Sequence, residues 1–395
     1  MLDHARSLAC EALSACHGEK GRFVARLKIG VIGCGAIAQI QHLPHLRELD
    51  DDFEIGGLAD LSPKLLEAVG ADYGVPRERQ FLDYHDLVTS DIDGVIVCPS
   101  GSHAAPSIAA AEAGKHILVE KPMCTTVREA ESMVDAADRA GVLLMIAYMK
   151  RHEPVYRFAQ QKVAEMSDVR FVQVNHLHPD NDLHTAEFKV RRFNDISDDV
   201  RAGSQQEQRE LIAEALNYTA GDSVPESIAH AYNLILGSMI HDLGNLHGMF
   251  GPAQRILSSE IWLDGRAVTT VLDYGETRRA VASWVDLPDL WDFKETLEVY
   301  GSRERVLVSF PTGFARGLPS YVTVHGMDAD RTPWRREYTW HDNPFKLELQ
   351  HFGECIRTRQ QPRTPGREAI ADIQLVGDIV KTYLRTATPA EPVVV

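Results

Sequence analysis

The chain is poor in positive charge, sparing with cysteine and without any long apolar run. Its 41 Lys and Arg stand against 57 Asp and Glu, a formal net charge of −16. That balance repels phosphate backbones and anionic bilayer surfaces, so neither nucleic acid nor membrane is an expected partner. No apolar stretch approaches the length that spans a bilayer. The 6 cysteines (Cys10, Cys16, Cys34, Cys98, Cys124, Cys355) show no paired zinc spacing, a usage that fits a reducing, cytoplasmic setting. Repeats and low-complexity segments are also missing. Residues 1–26 lack the basic start and continuous apolar stretch of a secretory signal, and are read as an N-terminal extension, a short helix or a loose arm. What is present is ordinary for a globular enzyme or binding protein: 44% hydrophobic and 25% charged residues. A chain of 395 residues exceeds what one core usually serves, so two domains are expected.

The first of these announces itself at "LKIGVIGCGAIA", a short apolar run that breaks into a glycine-rich turn and continues into an apolar periodic stretch. This is strand, tight turn, helix. Gly33 permits the turn, Gly35 lets backbone approach a pyrophosphate, and Ala38 is the third small position, while Ala36 and Ile37 bring amides to the helix start. A second run, "FEIGGLAD", ends at Asp60, about twenty residues on, where a carboxylate accepts from ribose hydroxyls. NAD is therefore the expected cofactor rather than NADP, with Lys64 as the nearby basic residue that a 2′-phosphate would want. Further strands at "DGVIVCP", "HILVEK" and "VLLMIA" alternate with helices, one of them opened by a Thr126/Glu129 capping box. Doubly wound parallel sheets bind ligands at the carboxyl ends of their strands, where Pro99, Ser100, His103, Glu120 and Lys121 fall. Lys121 follows a strand expected to be buried and precedes Pro122, which aims its ammonium at the crevice.

Taken together, "GVIGCGAIA", "LAD", "VCPSGSHA", "VEKPM" and "AYMKRHEP" resemble the Gfo/Idh/MocA family of sugar and cyclitol oxidoreductases, and later segments such as "LEVYGSRERVLV" fit its pattern too. The resemblance implies an α/β protein: a Rossmann doubly wound parallel sheet over 27–150, then a substrate-binding and oligomerisation domain over 151–395 with an open, mainly antiparallel sheet. On their own terms, "VRFVQVNHLH", "QRILSSEIW", "AVTTVLDY", "RRAVASWVDL", "ETLEVYG" and "ERVLVSF" read as β-branched, often alternating strands. A homodimer or homotetramer is expected. Around the "AYMKRHEP" segment, Tyr148 is assigned to substrate and Arg151 to cofactor.

Relatives of this family carry an Asp-x-x-x-His pair on a helix of the second domain. In "GSMIHDLGNLHGMFG" the histidine position is His241, but the aspartate position is Gly237. Residues four apart lie about 40° apart on an α-helix, so the usual pair converges on one hydroxyl; here half of it is missing. His247 lies roughly 240° around from His241, too far to share an ion, and is expected to pack elsewhere. Asp242 and Asn245 remain candidate substrate contacts, as does His178. The stretch 179–233 is longer than in compact relatives and reads as a lid, a specificity element or surface elaboration. Its His184, with His176 and His178, lacks fixed ligand geometry, and no metal is expected.

The expected function is NAD-dependent hydride transfer at a secondary hydroxyl of a sugar, glycoside or cyclitol, with His241 as general base and Lys121 as donor to the developing alkoxide. Two alternatives share the fold. One is a glycoside hydrolase in which NAD oxidises the sugar transiently; the other is a catalytically silent NAD and sugar sensor.

Overall fold

A computed structural model describes residues 25–219 and 223–386. Most of the N-terminal extension, residues 1–24, lies outside that range. Two sheets organise the rest. The first contains β1 (Leu27–Ile32), β2 (Phe53–Ala59), β3 (Gln80–Phe81), β4 (Gly94–Val97), β5 (His116–Glu120) and β6 (Leu144–Ala147), in the order β3-β2-β1-β4-β5-β6. All of its pairs are parallel, as crossover helices on both faces require. β4 and β6 are buried along their whole length, the reason they read as unbroken apolar runs. The order reverses between β1 and β4, and the crevice beyond their carboxyl ends is where such sheets hold ligands.

The second sheet contains β7 (Phe171–His178), β8 (Arg255–Trp262), β9 (Ala267–Asp273), β10 (Arg279–Asp286), β11 (Lys294–Tyr300), β12 (Glu304–Phe310), β13 (Ser320–Met327) and β14 (Pro333–Trp340). Its order is β14-β13-β12-β11-β7-β10-β9-β8, antiparallel except where β10 runs parallel to β7. β3, β13 and β14 were absent from the expected set. β3 is only two residues long, and β14 is an edge strand, "PWRREYTW", in which Trp334, Tyr338 and Trp340 share one half-buried face but Arg336 breaks the apolar alternation.

Between β7 and β8 the chain makes a detour. A helix at Asp198–Ala215 lies against the first domain, with Arg128 gripping Glu214 through two hydrogen bonds of 2.8 Å and Thr125 reaching Gln208. The chain then forms helix Glu226–Leu234, a π turn over Ile235–Met239 and helix Ile240–Phe250. The expected single α-helix over the "GSMIHDLGN" stretch is therefore interrupted, and an α-helical step angle does not apply from Gly237 to His241. Single π turns in helices are frequent at functional sites. None of the helices over the described residues is long and apolar enough to cross a membrane.

The capping box at the start of helix Val127–Ala140 takes the expected form, with the Thr126 hydroxyl accepting the Glu129 amide at 3.1 Å and Glu129 returning to the amides of Thr125 and Thr126 at 3.0 Å. Because this pair satisfies otherwise orphaned amides, Thr126→Ala is expected to destabilise the fold by about 1 kcal/mol. An unchanged urea midpoint would contradict it.

Candidate active site

At the end of β1 the backbone turns through Gly33 at φ +90°, and a Cβ there would fall 2.4 Å from the Pro99 nitrogen. Glycine is required at this position. At Gly35 a Cβ would meet nothing within 4 Å, so the backbone borders open space of the kind a phosphate needs. Asp60 is fixed at the end of β2 by two amides, Cys34 to Oδ2 at 2.8 Å and Ser62 to Oδ1 at 2.9 Å. Each oxygen keeps a lone pair for a further donor. These residues fit a dinucleotide: an open cradle beside β1 and a carboxylate beyond β2.

A cavity of about 700 Å³ runs from this turn into the second domain. Gly35, Ala36, Ile37, Pro99, Ser100 and His103 line its cofactor end, and Lys121, His178 and His241 line the other. His103 clips the strand-end loops together, its ring nitrogens lying 2.9 Å from the Glu120 carbonyl and 3.0 Å from that of Pro99. Glu120 is buried against His42 at 2.7 Å. Burial opposes its ionisation, but that hydrogen bond and the charges of His42 and Lys121 leave its carboxyl below the usual range.

Lys121 and His241 meet across the domain boundary. The Lys121 ammonium donates to the Gly237 carbonyl at 2.7 Å, and burial pulls its pKa below the ordinary lysine value. His241 has a buried Nδ1 with no partner among the described residues. Burial, followed by the charges of Lys121 and Lys150, drives its pKa well below that of free histidine, so the ring is neutral at physiological pH. Gly237 and Ser238 share the same wall, and a side chain at Gly237 would enter open space.

In and behind this wall lies a buried ionic group that the sequence did not reveal as such, with Lys150, His176 and Glu295 lining the cavity. Lys150 pairs with Glu295, and His176 Nδ1 lies 2.8 Å from Asp242 Oδ2. From His176 a chain continues to His178 Nδ1 at 3.2 Å and from His178 to Asn181 at 3.0 Å, while Trp284 stacks on His178 and donates to the Ser238 hydroxyl at 2.9 Å. Burial lowers His176 and His178 to about 4 and raises Asp242 to about 6. One signal for the group was available: His176 continues the inward stripe of Val172 and Val174 on β7, and Glu295 faces it in register from β11. His176, Asp242 and Glu295 have ligating atoms within 4.8 Å of one another, but the Lys150 ammonium already neutralises Glu295.

Several expected contacts lie elsewhere. Asp242 does not line the cavity; it holds His176, which does, from behind. Tyr148 is buried with its ring against Gly244, and Asn245 is buried with its carbonyl accepting the Tyr156 hydroxyl at 2.7 Å. Arg151 pairs with Glu368 beside Gly248. These three fasten helix Ile240–Phe250 to its neighbours at Gly244, Asn245 and Gly248, one to two turns beyond His241, and neither they nor Asp242 line the cavity. His247 lies on another face, 2.6 Å from Asp372.

Comparison with known proteins agrees with this geometry. The model of the oxidoreductase family with an NAD-binding Rossmann fold matches residues 27–148. An inositol 2-dehydrogenase of Paracoccus denitrificans is 35% identical over 144 residues, 36% of this chain and 42% of that protein. The scyllo-inositol 2-dehydrogenase (NADP(+)) of Bacillus subtilis is 31% identical over 160 residues, 39% of this chain and 43% of that protein. The matched region thus spans about two fifths of these relatives' length. Among solved structures, the aldose-aldose oxidoreductase of Caulobacter crescentus superimposes with a TM-score of 0.67 at 19% identity, covering 92% of this chain and 98% of that one. A 3-ketoreductase of Actinomadura kijaniata in complex with NADP gives 0.65 at 18%, covering 89% and 96%. The two-domain fold is shared along nearly the whole chain.

Removing the Lys150 charge leaves Glu295 and Asp242 buried without their cation, a loss of about 3–5 kcal/mol for a broken buried pair. Lys150→Met is therefore expected to lower the urea midpoint strongly at pH 8 and less at pH 5. Both carboxyls have folded pKa values raised by burial; the folded state then binds more protons than the unfolded one, and stability returns as pH falls. A loss independent of pH would contradict this account.

Proposed function

We propose, from the premise that residues 27–148 belong to the Gfo/Idh/MocA family of oxidoreductases, that this chain is an NAD-dependent dehydrogenase acting on a secondary hydroxyl of a sugar, glycoside or cyclitol. The observation that carries the reading is the meeting of Lys121 and His241 in one cavity with the glycine-rich turn. When bound, the nicotinamide supplies the hydride acceptor. The protein's part is to move a proton and hold charge. His241, neutral through burial, accepts the hydroxyl proton at a ring nitrogen. Lys121 exchanges its hydrogen bond to the Gly237 carbonyl for one to the substrate oxygen, where its positive charge stabilises a developing alkoxide. His178 and Trp284 form an aromatic, hydrogen-bonding wall suited to a polyol. Asp60 favours NAD, since its carboxylate accepts from ribose hydroxyls and repels a 2′-phosphate.

Free sugars, inositols and glycosides screened for NADH formation identify the substrate. Lys121→Ala and His241→Ala are each expected to reduce kcat by about a hundredfold or more while NADH binding persists. Near-normal turnover in a folded variant would remove that residue from the mechanism. Glycoside cleavage without net NADH would select the hydrolase reading, and binding without any reaction would select the sensor.

The acid limb of kcat/KM provides a separate check. A base works only when neutral, so activity falls as pH drops through the folded pKa of His241, which lies below the ordinary 6.5. The limb is expected below that value. Gly237→Asp, entering open space, should move it upward by stabilising the imidazolium. A wild-type limb at or above 6.5 would rule out His241 as the titrating base.

A further inference from the structure

After β7 the chain returns across the dinucleotide domain before reaching helix Asp198–Ala215. The Arg191 amide donates to Gln39 Oε1 at 2.7 Å, and its carbonyl accepts from Gln39 Nε2 at 3.1 Å. That same Nε2 donates to the Cys34 carbonyl, inside the glycine-rich turn, at 2.8 Å. The Arg191 guanidinium spans both oxygens of Asp72 at 3.1 and 3.2 Å. Four residues later Asp195 accepts from the Ser62 hydroxyl at 2.5 Å and the Lys64 amide at 3.0 Å. Its carboxylate therefore sits on the first turn of helix Pro63–Tyr73, while the amide of the same Ser62 is held by Asp60.

In a doubly wound sheet the acid after the second strand takes the adenosine ribose, and a 2′-phosphate, where one is accepted, needs a basic side chain nearby. Helix N-terminal amides are natural phosphate donors. Both are present here, as Lys64 and the start of helix Pro63–Tyr73. Asp195 has already taken the donors and added a second negative charge beside Asp60. Hydrogen bonds from Ser62 and Lys64 keep its carboxyl below the usual range, so it is ionised at neutral pH.

We propose that Asp195, delivered by the insert to the adenosine end of the groove, is a second determinant of cofactor choice, rejecting a 2′-phosphate by its charge and by occupying the donors such a phosphate would use. The proposal rests on the reading of the groove as an NAD site. In this role the insert cancels the opening to NADP that Lys64 would otherwise offer.

The test is fluorescence titration of the full, cofactor-stripped chain with NADH and with NADPH. In Asp195→Asn the side chain keeps its size and one acceptor oxygen but loses its charge. NADPH is expected to bind about tenfold or more tighter, equivalent to about 1.4 kcal/mol, with NADH affinity little changed. Asp195→Ala frees the donors as well and should gain more, and adding Lys64→Ala should reduce that gain by the share the Lys64 ammonium supplies, which a merely structural role for Asp195 would not predict. Circular dichroism establishes that each variant is folded, and if the alanine variant is not, the asparagine variant carries the test alone. Asp60→Asn is the control and should weaken NADH. A folded wild type that binds neither nucleotide overturns the NAD reading itself. Weakened NADH in Asp60→Asn, with no NADPH gain in Asp195→Asn, overturns the role of Asp195 and leaves that reading standing.

Discussion

The Lys150–Glu295 pair, buried beside His176 and Asp242, is the contact around which the two domains are set. Lys150 belongs to the short turn directly after β6, Glu295 to β11, His176 to β7 and Asp242 to helix Ile240–Phe250. Four elements thus converge on one desolvated charge. Buried pairs of this kind offer little net stability over an apolar replacement, but they cannot tolerate a shifted partner, because any member left alone keeps its full desolvation penalty. The relative placement of the sheets is fixed accordingly, and with it the distance between the glycine-rich turn and His241.

The same charge sets the chemistry of the wall in front of it. Burial disfavours the imidazolium form of His241, and the fields of Lys121 and Lys150 add to that effect. An aspartate at position 237 would pull the other way. Here position 237 offers only a backbone carbonyl, and Lys121 rests on it. The glycine therefore affects both partners: the histidine stays neutral, and the lysine rests on a carbonyl rather than on a carboxylate.

How legible this was in the sequence differs by element. The dinucleotide domain could be read because its strands are buried on both faces and its turn and cap residues carry local signals: the positive φ of Gly33, the Ser62 amide on Asp60 and the Thr126/Glu129 box each involve only neighbouring residues. The second domain was half legible. Its inner strands alternate, but β14 carries charge at an exposed edge, and Arg336 interrupts the face formed by Trp334, Tyr338 and Trp340. Site residues divided in the same way. Lys121 could be placed from the strand that precedes it. Tyr148, Arg151 and Asn245 could not, because their direction depends on how helix Ile240–Phe250 is rotated, and the π turn before it changes that rotation. Lys150 stood inside a motif already singled out, yet its partner Glu295 is 145 residues away. No local signal carries such a pairing.

One continuous stretch, from β7 to the end of helix Ile240–Phe250, reaches both ends of the cavity. It contributes His176 and His178, then the crossing at Arg191 and Asp195 beside the start of helix Pro63–Tyr73, then Gly237 and His241 beside Lys121. Between these points it is anchored to the first domain by Arg128–Glu214 and Gln39–Arg191 rather than left as a free loop. An insert held this way cannot shift at one end without straining the other, since β7 and helix Ile240–Phe250 are locked together by His176 and Asp242. The Asp195 crossing beside Asp60 and the wall at His241 are thus carried on one piece of chain, and the length of that insert and the glycine at position 237 are features of the same segment.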